Sequence, residues 1–390
     1  MIDSTPNAQG LLLLSELFPP AIGGSAVLFG EIYPRLSDIP VTVVSEGVGM
    51  ADYGIRNPRS LWQYLRLALK LRVSARRVAM IHCGRALPEG VAAWLCRRSG
   101  GPRYACWAHG EDIATSLTSR ELTLLMRRVY AGADVVFANS MNTRRMLREL
   151  GLASERIEIV YPGVDTQRFR PDIDATELRR RIAPRDETVL LSVGRFQTRK
   201  GHDLMIQAVG HLVHQHHRSL RYVIVGDGPE RSRLEALVDE CGVREQVTFA
   251  GEVSAELLPQ YYAACDIFVL PNRVEQSDVE GFGIVFLEAA ASGKPAVGGR
   301  SGGVPEAVAD GVTGLLVGGT DVAELADAIA RLMDSESLRR SLGEAGRARA
   351  VREFGWECAA EKVSAIHHRL VNGSIRAKTI IDGTLHDFRH

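Results

Sequence analysis

No apolar run in these 390 residues is long enough to cross a bilayer, since a spanning helix needs about 20 consecutive apolar residues. No leader pattern precedes the first strand-like run, Leu11-Leu12-Leu13-Leu14, so a signal peptide is not expected. Six cysteines (Cys83, Cys96, Cys106, Cys241, Cys265 and Cys358) lie far apart, with no Cys-x-x-Cys and no zinc spacing. Most fall in apolar strand or helix patterns and read as small core residues, which suits a reducing cytoplasm. Neither sign of charge is in excess, with 47 Lys and Arg against 47 Asp and Glu, so no global field calls for nucleic acid. With 45% hydrophobic and 24% charged residues the chain is not of disordered composition. Its length suits two domains better than one core.

One local lack stands out. Between Asp52 and Glu89 there is no acidic residue, while Arg56, Arg59, Arg66, Lys70, Arg72, Arg76, Arg77 and Arg85 are all basic. Leu61 to Arg72 is apolar-rich and carries positive charge only. Two readings stay open for 56–77. The segment is a helix resting on an anionic membrane surface, or a sheet-covering helix with a basic outer face.

Short apolar strands alternate with helical segments. Strands are predicted at Leu11–Leu14, Val41–Val44, Val78–His82, Tyr104–Ala108, Val135–Ala138 and Ile157–Val160, with helices near 26–37, 59–75, 88–99, 119–132 and 140–150. The pattern repeats with strands at Val189–Val193, Tyr222–Val225, Val247–Phe249, Ile267–Leu270, Ala296–Val297 and Leu315–Val317, and ends in helices near 321–334, 336–353 and 356–371. Such alternation implies parallel sheets covered on both faces. The segment from Tyr161 to Pro171 is the natural joint, giving an α/β protein of two doubly wound, Rossmann-like domains.

The chemistry concentrates between Asn272 and Val308. Glu280 and Glu288 are separated by seven residues, and Gly281-Phe282-Gly283 follows the first directly. The run from Ile284 to Ala291 is apolar except for Glu288. A carboxylate there is costly to bury unless something pairs with it, so Glu288 is a ligand candidate. The glycines allow close backbone approach, and the start of the helix favours negative charge. The plainer readings are a capping box, Ser277-x-x-Glu280, and a hydrogen-bonded structural Glu288. Upstream, the strand at 189–193 runs into Gly194-Arg195-Phe196-Gln197-Thr198-Arg199-Lys200-Gly201, a basic loop where ligands of open parallel sheets bind.

Together with Gly293-Lys294-Pro295 and Gly302-Gly303-x-Pro305-Glu306, these motifs resemble the retaining glycosyltransferases of family 4, whose architecture is GT-B, two Rossmann-like domains facing a central cleft. The resemblance covers most of the chain. It implies domains at 1–165, completed by a C-terminal helix at about 357–372, and at 166–356, with 373–390 an unclassified tail. It implies that Arg195 and Lys200 hold the diphosphate of a sugar-nucleotide donor, that Glu280 binds donor-sugar hydroxyls with N–H groups of Phe282 to Ile284, and that Glu288 binds the ribose. Gly251 and Val253 resemble the place where the base meets backbone groups. Gly23 and Gly24 resemble a loop that approaches the donor, and His109 matches a histidine facing the donor sugar.

Neither a cofactor nor a metal is expected. Val225-Gly226-Asp227-Gly228-Pro229 lacks the third glycine of a dinucleotide fingerprint, Arg231 standing there. Asp172-Ile173-Asp174 spells an Asp-x-Asp but falls where it would cap the next helix. The expectation is a metal-independent hexosyltransferase, retaining configuration by front-face attack and using a GDP- or UDP-sugar. Its acceptor is a hydroxyl, on a lipid-linked molecule or a glycan, and its place is the cytoplasm or the inner face of the membrane. The SDVEGFGIVFLEA wording is closest to mannosyltransferases of the phosphatidylinositol-mannoside type and points to GDP-mannose. Two rivals remain, a GT-B sugar-nucleotide epimerase and a non-catalytic sugar-nucleotide-binding protein.

Overall fold

The computed structural model describes residues 10–386 other than Ile22, Ala51, Gln276 and Ser277. The chain forms two compact units, one holding the residues up to Tyr161 together with those from Trp356 onward, the other holding Pro162–Gly355.

The first unit runs β1 (Leu11–Leu14), α1 (Gly24–Ile32), β2 (Val41–Val44), α2 (Pro58–Ser74), β3 (Met80–Cys83), α3 (Val91–Arg98), β4 (Arg103–Ala108), α4 (Glu111–Ser116), α5 (Arg120–Gly132), β5 (Val135–Ala138), α6 (Met141–Glu149) and β6 (Ile157–Ile159). Its strands are parallel in the order β2-β1-β3-β4-β5-β6, so the strand order reverses between β1 and β3. Every residue of β1 is fully buried. Because strand side chains alternate, Leu12 and Leu14 enter the core made with Leu67, Leu71, Val91, Leu125 and Met126, while Leu11 and Leu13 point to the opposite face.

Prolines decide where two helices depart from their expected ends. The helix expected over 26–37 stops at Ile32 and passes into a tight turn at Tyr33–Arg35, where Pro34 has no N–H to give. The one expected over 88–99 starts only at Val91, since Leu87, just before Pro88, takes extended angles (φ −124°, ψ 126°).

The second unit contains α7 (Thr176–Ile182), β7 (Thr188–Val193), α8 (His202–His214), β8 (Leu220–Val225), α9 (Arg231–Glu240), β9 (Val247–Gly251), α10 (Leu258–Ala264), β10 (Ile267–Leu270), α11 (Ile284–Ala291), β11 (Ala296–Gly299), α12 (Val304–Ala307), β12 (Gly314–Val317), α13 (Val322–Asp334) and α14 (Glu336–Glu353). The parallel order is β12-β11-β10-β7-β8-β9, reversing between β10 and β7. Met205, Ile206, Val209 and Leu212 of α8 pack with Leu325, Ile329 and Leu332 of α13 over Leu190, Ile224 and Val269. Shortening a leucine in such a core to alanine costs about 2–5 kcal/mol.

The last helix, α15 (Trp356–His386), belongs to the first unit, where it packs on α1. The stretch 373–390, unclassified from the sequence, continues this helix as far as His386, and its last four residues lie outside the described ones.

Candidate functional site

Ligands of open α/β sheets settle beyond the carboxyl ends of the strands where their order reverses. In the second unit that place lies past β7 and β10. The turn Thr198–Lys200 follows β7, and Asn272 to Gly283 follows β10. The carboxylate of Glu280, 8% exposed, receives three donors on one oxygen. Lys200 Nζ lies 2.6 Å from Oε2, Asn272 Nδ2 2.7 Å and Arg199 Nη1 2.8 Å. Its other oxygen, Oε1, takes no hydrogen bond among the described residues. Burial pushes this carboxyl up, but the charges of Lys200 and Arg199 outweigh it and hold the group below the ordinary glutamate range. Asn272 Oδ1 and Ser301 Oγ are buried nearby in sequence to this site, with no hydrogen-bond partner among the described residues.

Glycine makes the loops fit. Gly201 has φ +73°, and a Cβ there would stand 2.3 Å from the carbonyl oxygen of Pro271. That turn thus brings Lys200 against the chain leaving β10. Gly302 has φ +55°, and a Cβ would stand 1.9 Å from the carbonyl oxygen of Glu280, which also accepts the amide of Gly303 at 3.0 Å. Gly302-Gly303 therefore acts as a backbone rest for the Glu280 turn. Gly281 and buried Phe282 lead into Gly283, which begins α11 with φ +93°, so the helix proper starts at Ile284. The capping-box reading of Glu280 rests on Ser277, which lies outside the described residues, and the Glu280 carboxylate is taken by Lys200, Arg199 and Asn272.

Glu288 sits one turn further along α11, half-buried, and accepts the hydroxyl of Tyr262 at 2.7 Å on Oε2. Burial raises this carboxyl above its ordinary range, while the Tyr262 hydrogen bond and the charge of Arg168 oppose the rise. The two glutamates are thus electrostatic opposites, one compensated by cations and the other poor in charge partners.

Arg195 is exposed and has no side-chain partner among the described residues, so it is not drawn into the Glu280 cluster, where Arg199 stands instead. Gly251 ends β9 with φ +71° and open space around its Cα, its carbonyl accepting the amide of Gly226 at 2.8 Å, and Val253 is half-buried beyond it. Asn272, Arg199 and Tyr262 were not picked out from the sequence. Arg199 was hidden beside the lysine that carries the motif, while Asn272 had a legible signal as the second residue past an apolar strand.

In the first unit, Gly23 (φ +141°) and Gly24 open α1. His109, after β4, donates from Nε2 to the carbonyl of Gly84 at 2.9 Å, which places the proton on that nitrogen. Its ring stacks on Trp107 at 6.3 Å, and burial lowers its pKa, so it is neutral near pH 7. Helix α2 buries Tyr64, Leu67 and Leu71 but leaves Trp62, Leu69 and Val73 more than 60% exposed beside exposed Arg66, Lys70 and Arg72. An ordinary sheet-covering helix shows a polar outer face, so this row of apolar side chains calls for something to cover it. No helix among the described residues is long and apolar enough to cross a membrane.

Among the described residues no group of three or more His, Cys, Asp or Glu side chains is arranged to hold a metal ion. Asp174 accepts the amide of Thr176 at 3.0 Å at the start of α7, and Asp172 pairs with Arg170 at 3.3 Å.

Two parallel six-stranded sheets with flanking helices, one carrying a carboxylate pair around a glycine-hinged helix, define a GT-B transferase. Residues 174–349 match the family described as Glycosyl transferases group 1, and residues 28–168 match Glycosyltransferase Family 4. Over 375 residues the chain is 33% identical to the GDP-mannose-dependent alpha-(1-6)-phosphatidylinositol monomannoside mannosyltransferase of Mycobacterium tuberculosis, covering 91% of this chain and 97% of that protein. It is 39% identical over 257 residues to the D-inositol 3-phosphate glycosyltransferase of Acidothermus cellulolyticus, with 62% of this chain and 56% of that one covered. Among solved structures, the sucrose-phosphate synthase from Thermosynechococcus elongatus has the same fold, with a TM-score of 0.79 at 24% identity, covering 93% of this chain and all of that one. The chain belongs to the family-4 glycosyltransferases. It is an enzyme of sugar transfer from a nucleotide-sugar donor, which sets the epimerase reading aside.

Proposed function

We propose that this protein is a retaining, metal-independent mannosyltransferase that moves mannose from GDP-mannose to a hydroxyl of a lipid-linked acceptor at an anionic membrane surface. The Glu280 cluster carries the reading. One carboxylate oxygen is tied down by Lys200, Arg199 and Asn272, and the other is left for a ligand at the point where the sheet order reverses. A carboxylate held ionised in this way suits polyhydroxyl ligands, whose O–H groups donate to it.

In the proposed reaction the bond between the sugar C1 and the diphosphate oxygen breaks as the acceptor oxygen bonds to C1 from the same face. The acceptor proton passes to the departing phosphate oxygen, so no protein nucleophile is used. Charge grows on the diphosphate, and Lys200 with Arg195 meets it. Glu280 takes donor-sugar hydroxyls with the N–H groups of Phe282, Gly283 and Ile284, and Glu288 takes the ribose. Gly251 and Val253 serve the base through the backbone, and Gly23, Gly24 and His109 serve the donor from the first unit.

GDP-mannose is favoured by the motif wording and by the relative of Mycobacterium tuberculosis, whose name carries that donor. The lipid acceptor is favoured by α2, with its apolar row and its one sign of charge. The test is a thermal-shift panel of GDP-, UDP- and ADP-sugars, followed by NMR of the anomeric proton of the product. GDP-mannose should raise the melting temperature most, and the product should keep the α configuration of the donor. A larger shift with a UDP-sugar, or a β-linked product, would overturn the respective half of the proposal.

A further inference from the structure

Arg199 and Lys200 both pair with a single oxygen of the buried Glu280 carboxylate. The two cations are held differently. The Lys200 ammonium has three donors on a flexible stem, and its one hydrogen bond among the described residues is to Glu280. The Arg199 guanidinium, 8% exposed, is fastened on two sides, with Nη1 2.8 Å from Glu280 Oε2 and Nε 3.0 Å from Asp278 Oδ2. Its backbone carbonyl also accepts the amide of Arg273 at 2.9 Å, tying the turn after β7 to the chain leaving β10. Arg199 is therefore the fixed cation of the pair and Lys200 the movable one.

We propose that Arg199 is a positioning residue of the transfer reaction, holding Glu280 charged and in place so that Lys200 can leave it for the diphosphate of the donor. The inference rests on the proposed role of Lys200 at the diphosphate. A buried carboxylate whose cationic partner departs is strongly destabilised unless another charge remains beside it. With Lys200 turned to phosphate, Glu280 keeps Arg199 and Asn272 on Oε2, and Oε1 stays directed by that fixed geometry. The groups that face Glu280 are Arg199 and Lys200 from the turn after β7 and Asn272 from the chain after β10, with Asp278 one step behind on Arg199. Lysine at 199 would keep the charge but reach only one of the two carboxylates, because only the planar fork spans both.

The test measures pH profiles of kcat/KM for the donor in wild type, Arg199→Met, Arg199→Lys and Asp278→Asn, with circular dichroism as the control for folding. In Arg199→Met the acid limb should move up by about one pH unit or more, the effect of removing a guanidinium from beside a carboxylate. Arg199→Lys should bring the limb back most of the way, and Asp278→Asn, which only loosens the fork, should move it in the same direction by less. Should Arg199→Met fail to fold, the Arg199→Lys and Asp278→Asn profiles decide, and both limbs unchanged would overturn the proposal. A folded Arg199→Met with the wild-type limb would overturn it equally. Lys200→Ala, run alongside, separates the two readings. If it turns over like wild type, the diphosphate assignment fails. If it loses turnover while the Arg199 variants keep the wild-type limb, only the role of Arg199 fails.

Discussion

The places where strand order reverses in the two sheets can be compared directly. Past β7 and β10, charged and amide groups converge on Glu280 Oε2 within 2.8 Å. Past β1 and β3 of the first sheet, the glycines at 23 and 24 offer only main chain, and the carbonyl of Gly84 takes the ring N–H of His109, which is neutral. The conspicuous charge of the first unit lies elsewhere, on the outer face of α2. One region holds a buried anion fixed by three donors, and the other offers backbone and, on α2, an exposed cationic, apolar face. Recognition by side-chain charge leaves a trace in residue type and spacing, and recognition by backbone leaves almost none.

The largest effect that would break this contrast concerns Lys200. Lys200→Ala should lower kcat by about a hundredfold or more, comparable to removing one preorganised donor, with some donor affinity kept. Steady-state kinetics check it, and wild-type turnover would reduce Lys200 to a structural partner of Glu280. Next comes Glu288→Gln, which should raise the donor KM by roughly tenfold with kcat little changed, the signature of lost uniform binding.

The same substitution sharpens the contrast between the two glutamates through pH. The folded-state pKa of Glu288 is raised, so its stabilising contribution is present at low pH and lost as pH rises through that value. Wild type should therefore lose melting temperature relative to Glu288→Gln as pH increases. Glu280, with its pKa lowered, behaves in the opposite sense. Its contribution is present above the unfolded value of about 4.3 and lost as pH falls through the folded one.

Smaller still is the effect on the first unit's outer face. Replacing Arg66, Lys70 and Arg72 with Gln should weaken binding to anionic vesicles at low salt by about 1 kcal/mol per charge, with folding intact. Unchanged vesicle binding in a flotation assay would return α2 to the role of a plain covering helix. The smallest effect is none at all, since EDTA should leave turnover unaltered. Activity lost in EDTA and restored by manganese or magnesium would contradict the reading of Lys200 and Arg195 as the charge partners of the diphosphate.

Much of the fold was legible because the strands are continuous apolar runs. Leu11–Leu14, Val135–Ala138 and Ile267–Leu270 were read to the residue, and α14 was read at 336–353 as it stands. Helix ends beside Pro34 and Pro88 were misjudged, because periodicity continues through a residue that cannot continue the helix. In the site, Glu280 and Lys200 were legible from their motifs, and the structure brings their side chains to 2.6 Å of one another. Arg199 was not, because a basic dipeptide does not say that both members turn inward, as they do here onto Glu280 Oε2. Tyr262 was not either, since its tie to Glu288 crosses 26 residues and depends on how α10 lies against α11.

The account turns on the second unit being the one that holds the donor by charge, and calorimetric titration of GDP-mannose tests this most directly. Wild type, Glu288→Gln and His109→Ala would be titrated under the same buffer and salt. Glu288→Gln should bind roughly tenfold more weakly than wild type, the loss of a hydrogen bond to a charged group, and His109→Ala should bind within about a factor of two to three. Donor affinity unaffected in Glu288→Gln but lost in His109→Ala would contradict the account and move the donor's hold to the first unit.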